Sequence, residues 1–81
     1  QSGVCYPNPA TDEVSFNPGI LGLESGFVEI SDALGRLNIQ KQIRKNEVTR
    51  MDIRSLSDGI YFYRIQDENG KSHLQGKLLK H

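Results

Sequence analysis

Leu56-Ser57-Asp58-Gly59-Ile60-Tyr61-Phe62-Tyr63-Arg64-Ile65 sets a leucine, a polar turn, a glycine two residues before a tyrosine and the start of a strand in one short stretch. That order is the one in which a tyrosine corner is built: the phenol oxygen bonds back to backbone just upstream, and the ring fills the space between two sheets. Leu56, Gly59 and Tyr61 are the residues that write it. The alternation that follows, with Tyr61, Tyr63 and Ile65 on one face, predicts a strand over 60–66. The fold so indicated is a β-sandwich, and the corner by itself assigns no function.

Working outward, the rest of the chain agrees. Asp67-Glu68-Asn69-Gly70 is a hairpin turn, because Asn and Gly accept left-handed backbone. A last strand over 71–80 alternates Leu74, Gly76 and Leu78 against His73, Gln75, Lys77 and Leu79, with Gly76 as the site of a bulge. Upstream, Thr49, Met51 and Ile53 face inward from a strand near 48–53, preceded by a polar loop over 41–46. Residues 27–32 and 37–42 form a hairpin in which Val28 and Ile30 meet Leu37 and Ile39, and Asp32-Ala33-Leu34-Gly35-Arg36 makes the reversal with Gly35 at positive φ. The 20–26 connection carries Ile20, Leu21 and Leu23 under one edge and no strand. Residues 11–16 point Val14 and Phe16 inward, and a first strand over 4–6 stops at Pro7-Asn8-Pro9, where two prolines remove backbone donors. The period is two throughout and never 3.6. The fold class is all-β, an immunoglobulin-like antiparallel β-sandwich of about seven short strands.

At 81 residues the chain is one domain, near the lower limit at which an apolar core suffices without staples. It begins at Gln1 rather than Met, which suggests a piece cut from a longer protein. Ten basic and ten acidic side chains cancel, so nucleic acid and anionic membranes find no long-range attraction. There is no apolar run of membrane-spanning length and no signal peptide. The one cysteine, Cys5, has no second with which to form an internal disulfide.

Catalytic patterns are missing. Glu24-Ser25-Gly26 lacks the first glycine of a nucleophile elbow, and His73 sits on a strand without an evident acidic partner. One Cys and two His give no zinc spacing, Asp67-Glu68-Asn69-Gly70 lacks the later glutamate of a calcium loop, and no glycine-rich phosphate loop occurs. The chain therefore reads as no enzyme, with no cofactor and no metal. Sugar binding would need exposed aromatic platforms. There is no Trp, and Phe27 and Phe62, out of phase with their inward neighbours, more naturally cover a sheet face or pack on a partner domain.

Four signals occur in order: Tyr6-Pro7-Asn8-Pro9-Ala10, Ile30-Ser31-Asp32-Ala33-Leu34-Gly35-Arg36, Leu56-Ser57-Asp58-Gly59-Ile60-Tyr61, and Gly76-Lys77-Leu78-Leu79-Lys80 at the end. Over residues 4–80 this series resembles the C-terminal sorting domain of the type IX secretion system, in the type A form found on secreted proteins of the Bacteroidetes. Two departures are mild: Cys5 stands where that family carries a small or apolar residue, and the 20–26 connection is not diagnostic.

The resemblance implies a sandwich at the end of a larger cargo protein, recognised by outer-membrane components of the machinery. It also implies removal by a sortase, with the cargo then joined to a surface lipopolysaccharide or released. Partners would be those components, the sortase and the N-terminal cargo domain of the same chain, with localisation at the cell surface or in the medium. Within it, Gly76, Lys77, Leu78, Leu79 and Lys80 are the expected recognition residues, the two lysines flanking one buried and one presented leucine. The other reading of that strand is an ordinary sheet edge protected by lysines. Tyr6, Pro7, Asn8, Pro9, Asp32, Gly35, Arg36, Leu56, Gly59 and Tyr61 are expected to be structural, Arg36 pairing with Asp32 or touching a receptor. The alternative function is an accessory module that binds carbohydrate or its own catalytic domain.

Overall fold

The computed structural model describes residues 5–7, 9–45 and 47–81, leaving aside the side chains of Pro18 and Ile20. Val4 and Asn8, expected in the first strand and its turn, lie outside the described residues. Seven strands form two antiparallel sheets. The smaller holds β1 (Cys5–Tyr6), β2 (Glu13–Phe16) and β5 (Thr49–Asp52) in that order. The larger holds β3 (Ser25–Asp32), β4 (Leu37–Arg44), β6 (Gly59–Asp67) and β7 (Ser72–Lys80), ordered β4-β3-β6-β7.

Period-two patterning puts one face of each sheet into the core. Val14 and Phe16 of β2, Met51 of β5 and the adjoining Ile53 face Val28 and Ile30 of β3, Ile43 of β4, Tyr61 and Ile65 of β6 and Leu78 of β7, all buried. Phe16 meets Tyr63 edge to face across the sandwich, ring centroids 5.2 Å apart and planes at 61°, a favoured aromatic arrangement. Ser15, on the opposite face from Phe16, is also buried, between its cross-strand neighbours Tyr6 and Arg50.

Several expectations are corrected. The 20–26 connection is a single 3₁₀ turn over Pro18–Leu21, closed by Gly22 in the left-handed region, after which β3 begins at Ser25. The polar loop expected over 41–46 is largely strand: β4 runs to Arg44 and buries Ile43 completely. The alternation there is hidden because Lys41 takes the phase shared by Ile39 and Ile43 yet stays exposed, its Nζ reaching the Arg50 carbonyl of the other sheet at 2.7 Å. Leu37 does not meet Val28 or Ile30. A register shift after Ile30 pairs Leu37 with Ser31 and turns it to solvent, while Ile30 pairs with Ile39.

Cys5 is buried in the first strand, and that burial pushes its thiol from 9.0 up to about 11. Between those values the unfolded thiol ionises while the folded one does not, so folding stability falls as pH rises across that interval. At pH 8 iodoacetamide is expected to leave Cys5 unmodified in the folded protein and to alkylate it completely in denaturant. Rapid labelling of the native protein would contradict the packing described.

Candidate recognition strand

β7 forms one edge of the larger sheet, pairing with β6 along its length. Its residues divide by face. Leu78 is fully buried, while Lys77 and Leu79 are exposed, Leu79 to 40%. Lys80 departs from expectation. Rather than flanking the leucines with a second solvent-facing charge, its side chain is only 9% exposed and Nζ lies 3.6 Å from an Asp58 carboxylate oxygen. The inward phase that buries Leu78 also turns Lys80 beneath the corner, where an acidic residue meets it. The strand thus presents one lysine, Lys77, and one leucine, Leu79.

Gly76 is not a bulge. It pairs in register with Tyr63, and the register shift of this hairpin falls after Ile65 instead. A Cβ at Gly76 would run into the Tyr63 ring. Glycine is there to let that ring lie across β7 while its other side meets Phe16.

The corner is formed as the sequence indicates. Tyr61 is buried and its hydroxyl donates to the Ser57 carbonyl at 2.7 Å, while Leu56 packs against the core. Tyr61 pairs with Leu78 on one side and with Asp32 on the other, and Gly59 pairs with Lys80. From the beginning of the chain, Ala10 donates its N–H to the Leu79 carbonyl at 2.8 Å and accepts the His81 N–H at 2.9 Å. Tyr6 lies in β1, and Pro7 follows it through a cis peptide bond. Residues of all four motifs, among them Ala10, Asp32, Gly59, Tyr61, Leu78 and Lys80, therefore meet at one end of the sandwich. A cleft of about 450 Å3 there is lined by Asp32, Leu34, Arg36, Leu56, Asp58 and Ile60 among others.

The Asp32 carboxylate organises its turn. Oδ1 accepts the N–H groups of Leu34 and Arg36 at 2.9 and 3.0 Å, and Oδ2 accepts Arg36 Nε at 2.8 Å. Gly35 takes φ 84, as the reversal requires. Desolvation opposes ionisation of Asp32, but those backbone donors and Arg36 outweigh it and hold the carboxyl below its ordinary range. Arg36 thus pairs with Asp32.

His73 has an acidic partner after all: Nε2 lies 2.9 Å from Asp67 Oδ2, because the turn between β6 and β7 brings the two together. His73 first, and then the Lys71 N–H, keep the Asp67 carboxyl below its ordinary range. The pair braces a hairpin. Among the described residues no group of three or more His, Cys, Asp or Glu is placed to hold a metal ion.

The fold is that of a small all-β domain, an antiparallel sandwich of a three-stranded and a four-stranded sheet. The profile of the secretion system C-terminal sorting domain matches residues 4–80, and the chain belongs to that family. It is a C-terminal sorting signal for type IX secretion, from a family of non-catalytic domains, and as part of a larger cargo chain it interacts with the secretion machinery and marks the protein for the cell surface or the medium. No curated protein and no solved structure matches the chain.

Proposed function

We propose that this domain is the address label that takes its cargo across the outer membrane. Outer-membrane components of the type IX machinery bind it, and a sortase then removes it, leaving the cargo attached at the surface or released. Family membership over residues 4–80 is the observation that carries this reading. Gly76, Lys77, Leu78, Leu79 and Lys80 share the work unequally in it. Lys77 and Leu79 face the receptor. Gly76, Leu78 and Lys80 hold the strand in register, since Leu78 and Lys80 are turned inward and Gly76 accommodates Tyr63.

A reporter carrying this domain at its C-terminus should leave a type IX-competent host, and Lys77→Glu with Leu79→Ser should hold it in the periplasm. Those two exposed positions are preferable to truncation of the last six residues, which would also remove the fully buried Leu78. Export of the double variant at the wild-type level would remove Lys77 and Leu79 from the signal.

A further inference from the structure

The larger sheet is built from two hairpins related by a pseudo-two-fold axis. A shift of 35 residues carries β3-β4 onto β6-β7: Phe27↔Gln42 becomes Phe62↔Lys77, Ile30↔Ile39 becomes Ile65↔Leu74, and the register shift after Ile30 becomes that after Ile65. The turns match as well. Asp32 and Asp67 each accept the N–H groups two and four residues on, and Gly35 and Gly70 take φ 84 and 86. Glu29 and Arg64 sit opposite each other at the axis, paired at 2.9 Å.

The two ends of this sheet have nearly the same backbone and opposite chemistry. One end exposes Leu34 to 78%, Leu37 to 54%, Phe62 to 47%, Ile60 to 46% and Leu79 to 40%. The positions 35 residues away hold Asn69, Ser72, Phe27, Ser25 and Arg44. Ser25 donates to the Glu68 carboxylate of the facing turn, where the equivalent pair at the other end is Ile60 and Ala33, both lining the cleft. The polar hairpin is an internal control: this fold accepts polar residues at four of these five positions, so packing does not account for the apolar ones.

We infer that the outward apolar block of Leu34, Leu37, Ile60, Phe62 and Leu79 is a docking surface for a protein of the secretion machinery, one offering a complementary apolar patch. The inference rests on the sorting reading above and extends the recognised surface beyond the terminal strand, with Leu79 common to both. Two observations favour that occupant. The block presents on the order of 500 Å2, within the range of functional patches on monomers, but short of the roughly 800 Å2 per partner of a stable two-protein interface. A second copy would therefore be held weakly, whereas a sorting receptor has to release its cargo. A lipid surface would call for several basic side chains around the apolar block, and the chain has no net charge.

The test writes the polar hairpin onto the apolar end with Leu34→Asn, Leu37→Ser and Ile60→Ser, leaving Gly76 to Lys80 unchanged. The wild-type fusion should be exported, and the triple variant should melt within a few degrees of it yet be exported about tenfold less, as losing the anchors of a recognition surface predicts. Excess unfused wild-type domain in the periplasm should compete with the reporter, and excess triple variant should not. If the triple variant is exported and competes like wild type, the docking inference falls and the sorting reading stands. If the wild-type fusion itself stays in the cell, the sorting reading falls. A micromolar dimer in sedimentation, or co-sedimentation with phosphatidylethanolamine–phosphatidylglycerol vesicles, abolished by the triple variant in either case, would assign the block to a second copy or to lipid and overturn the inference.

Discussion

Replacing Leu78 by alanine is expected to destabilise the domain by about 2–5 kcal/mol, the range for a fully buried leucine whose neighbours collapse only partly into the space. In a domain of this size each kcal/mol lowers the melting temperature by roughly 4–8 °C, so a drop of about 10 °C or more should appear in a thermal denaturation followed by circular dichroism. Leu79→Ser, one residue on, should cost clearly less than that, because the side chain keeps 40% of its surface in water and leaves no enclosed cavity when shortened. Two adjacent leucines on one strand thus separate two roles. Leu78 should act on folding, and on export only through folding. Leu79 should act on export with the fold intact. Equal effects of the two substitutions on melting would mean that β7 is not held with Leu78 inward.

Gly76→Ala decides its sign between two opposed effects. Glycine within a strand ordinarily loses stability to backbone entropy, and alanine there would recover about 0.5–1 kcal/mol. At Gly76 the new methyl would meet the Tyr63 ring, which is braced from behind by Phe16 and has little freedom to withdraw. Overpacking of this kind costs about 1–3 kcal/mol, so a net loss is expected. The partner is identified by a double-mutant cycle: with Tyr63→Leu in place the cost of Gly76→Ala should shrink, giving a coupling of about 0.5–3 kcal/mol, as found for residues in direct contact. Additive losses would place the reason for the glycine elsewhere.

How far these residues could be read without the fold depends on the range of the interaction that places them. The Asp32 turn, with Gly35 at positive φ and Arg36 paired to Asp32, spans five residues and is written in local chemistry, as are the Asp67 to Gly70 turn and the Tyr61 hydroxyl bond four residues back to Ser57. Inward phases of β5 and β6 followed from alternation alone. The failures have a common cause. Lys41, in the phase of Ile39 and Ile43, disguises the second half of β4 as a loop, and only the packed sheets show it exposed with its ammonium on the Arg50 carbonyl of the facing sheet. Alternation alone turns Leu37 inward, because it cannot reveal a register shift between paired strands. The acidic partner of His73 was six residues away, at a separation that only the closed hairpin makes short.

The recognition strand divides the same way. Its existence, its end-of-chain motif and the contrast between Leu78 and Leu79 were legible in sequence, because side chains alternate along any strand. That Lys80 is folded under the corner against Asp58, that Gly76 makes room for Tyr63, and that Ala10 is hydrogen-bonded to Leu79 and His81 were not. Nor was the apolar block, whose five residues come from the first turn and from β4, β6 and β7 and join only once the sheet order β4-β3-β6-β7 exists. By itself the sequence determined most of the strands, the turns at Asp32 and Asp67, the corner and the family, all of them properties of neighbouring residues or of motif order. The tertiary structure alone decided which of those residues face solvent, since exposure on a sheet is set by long-range register and by what the second layer covers.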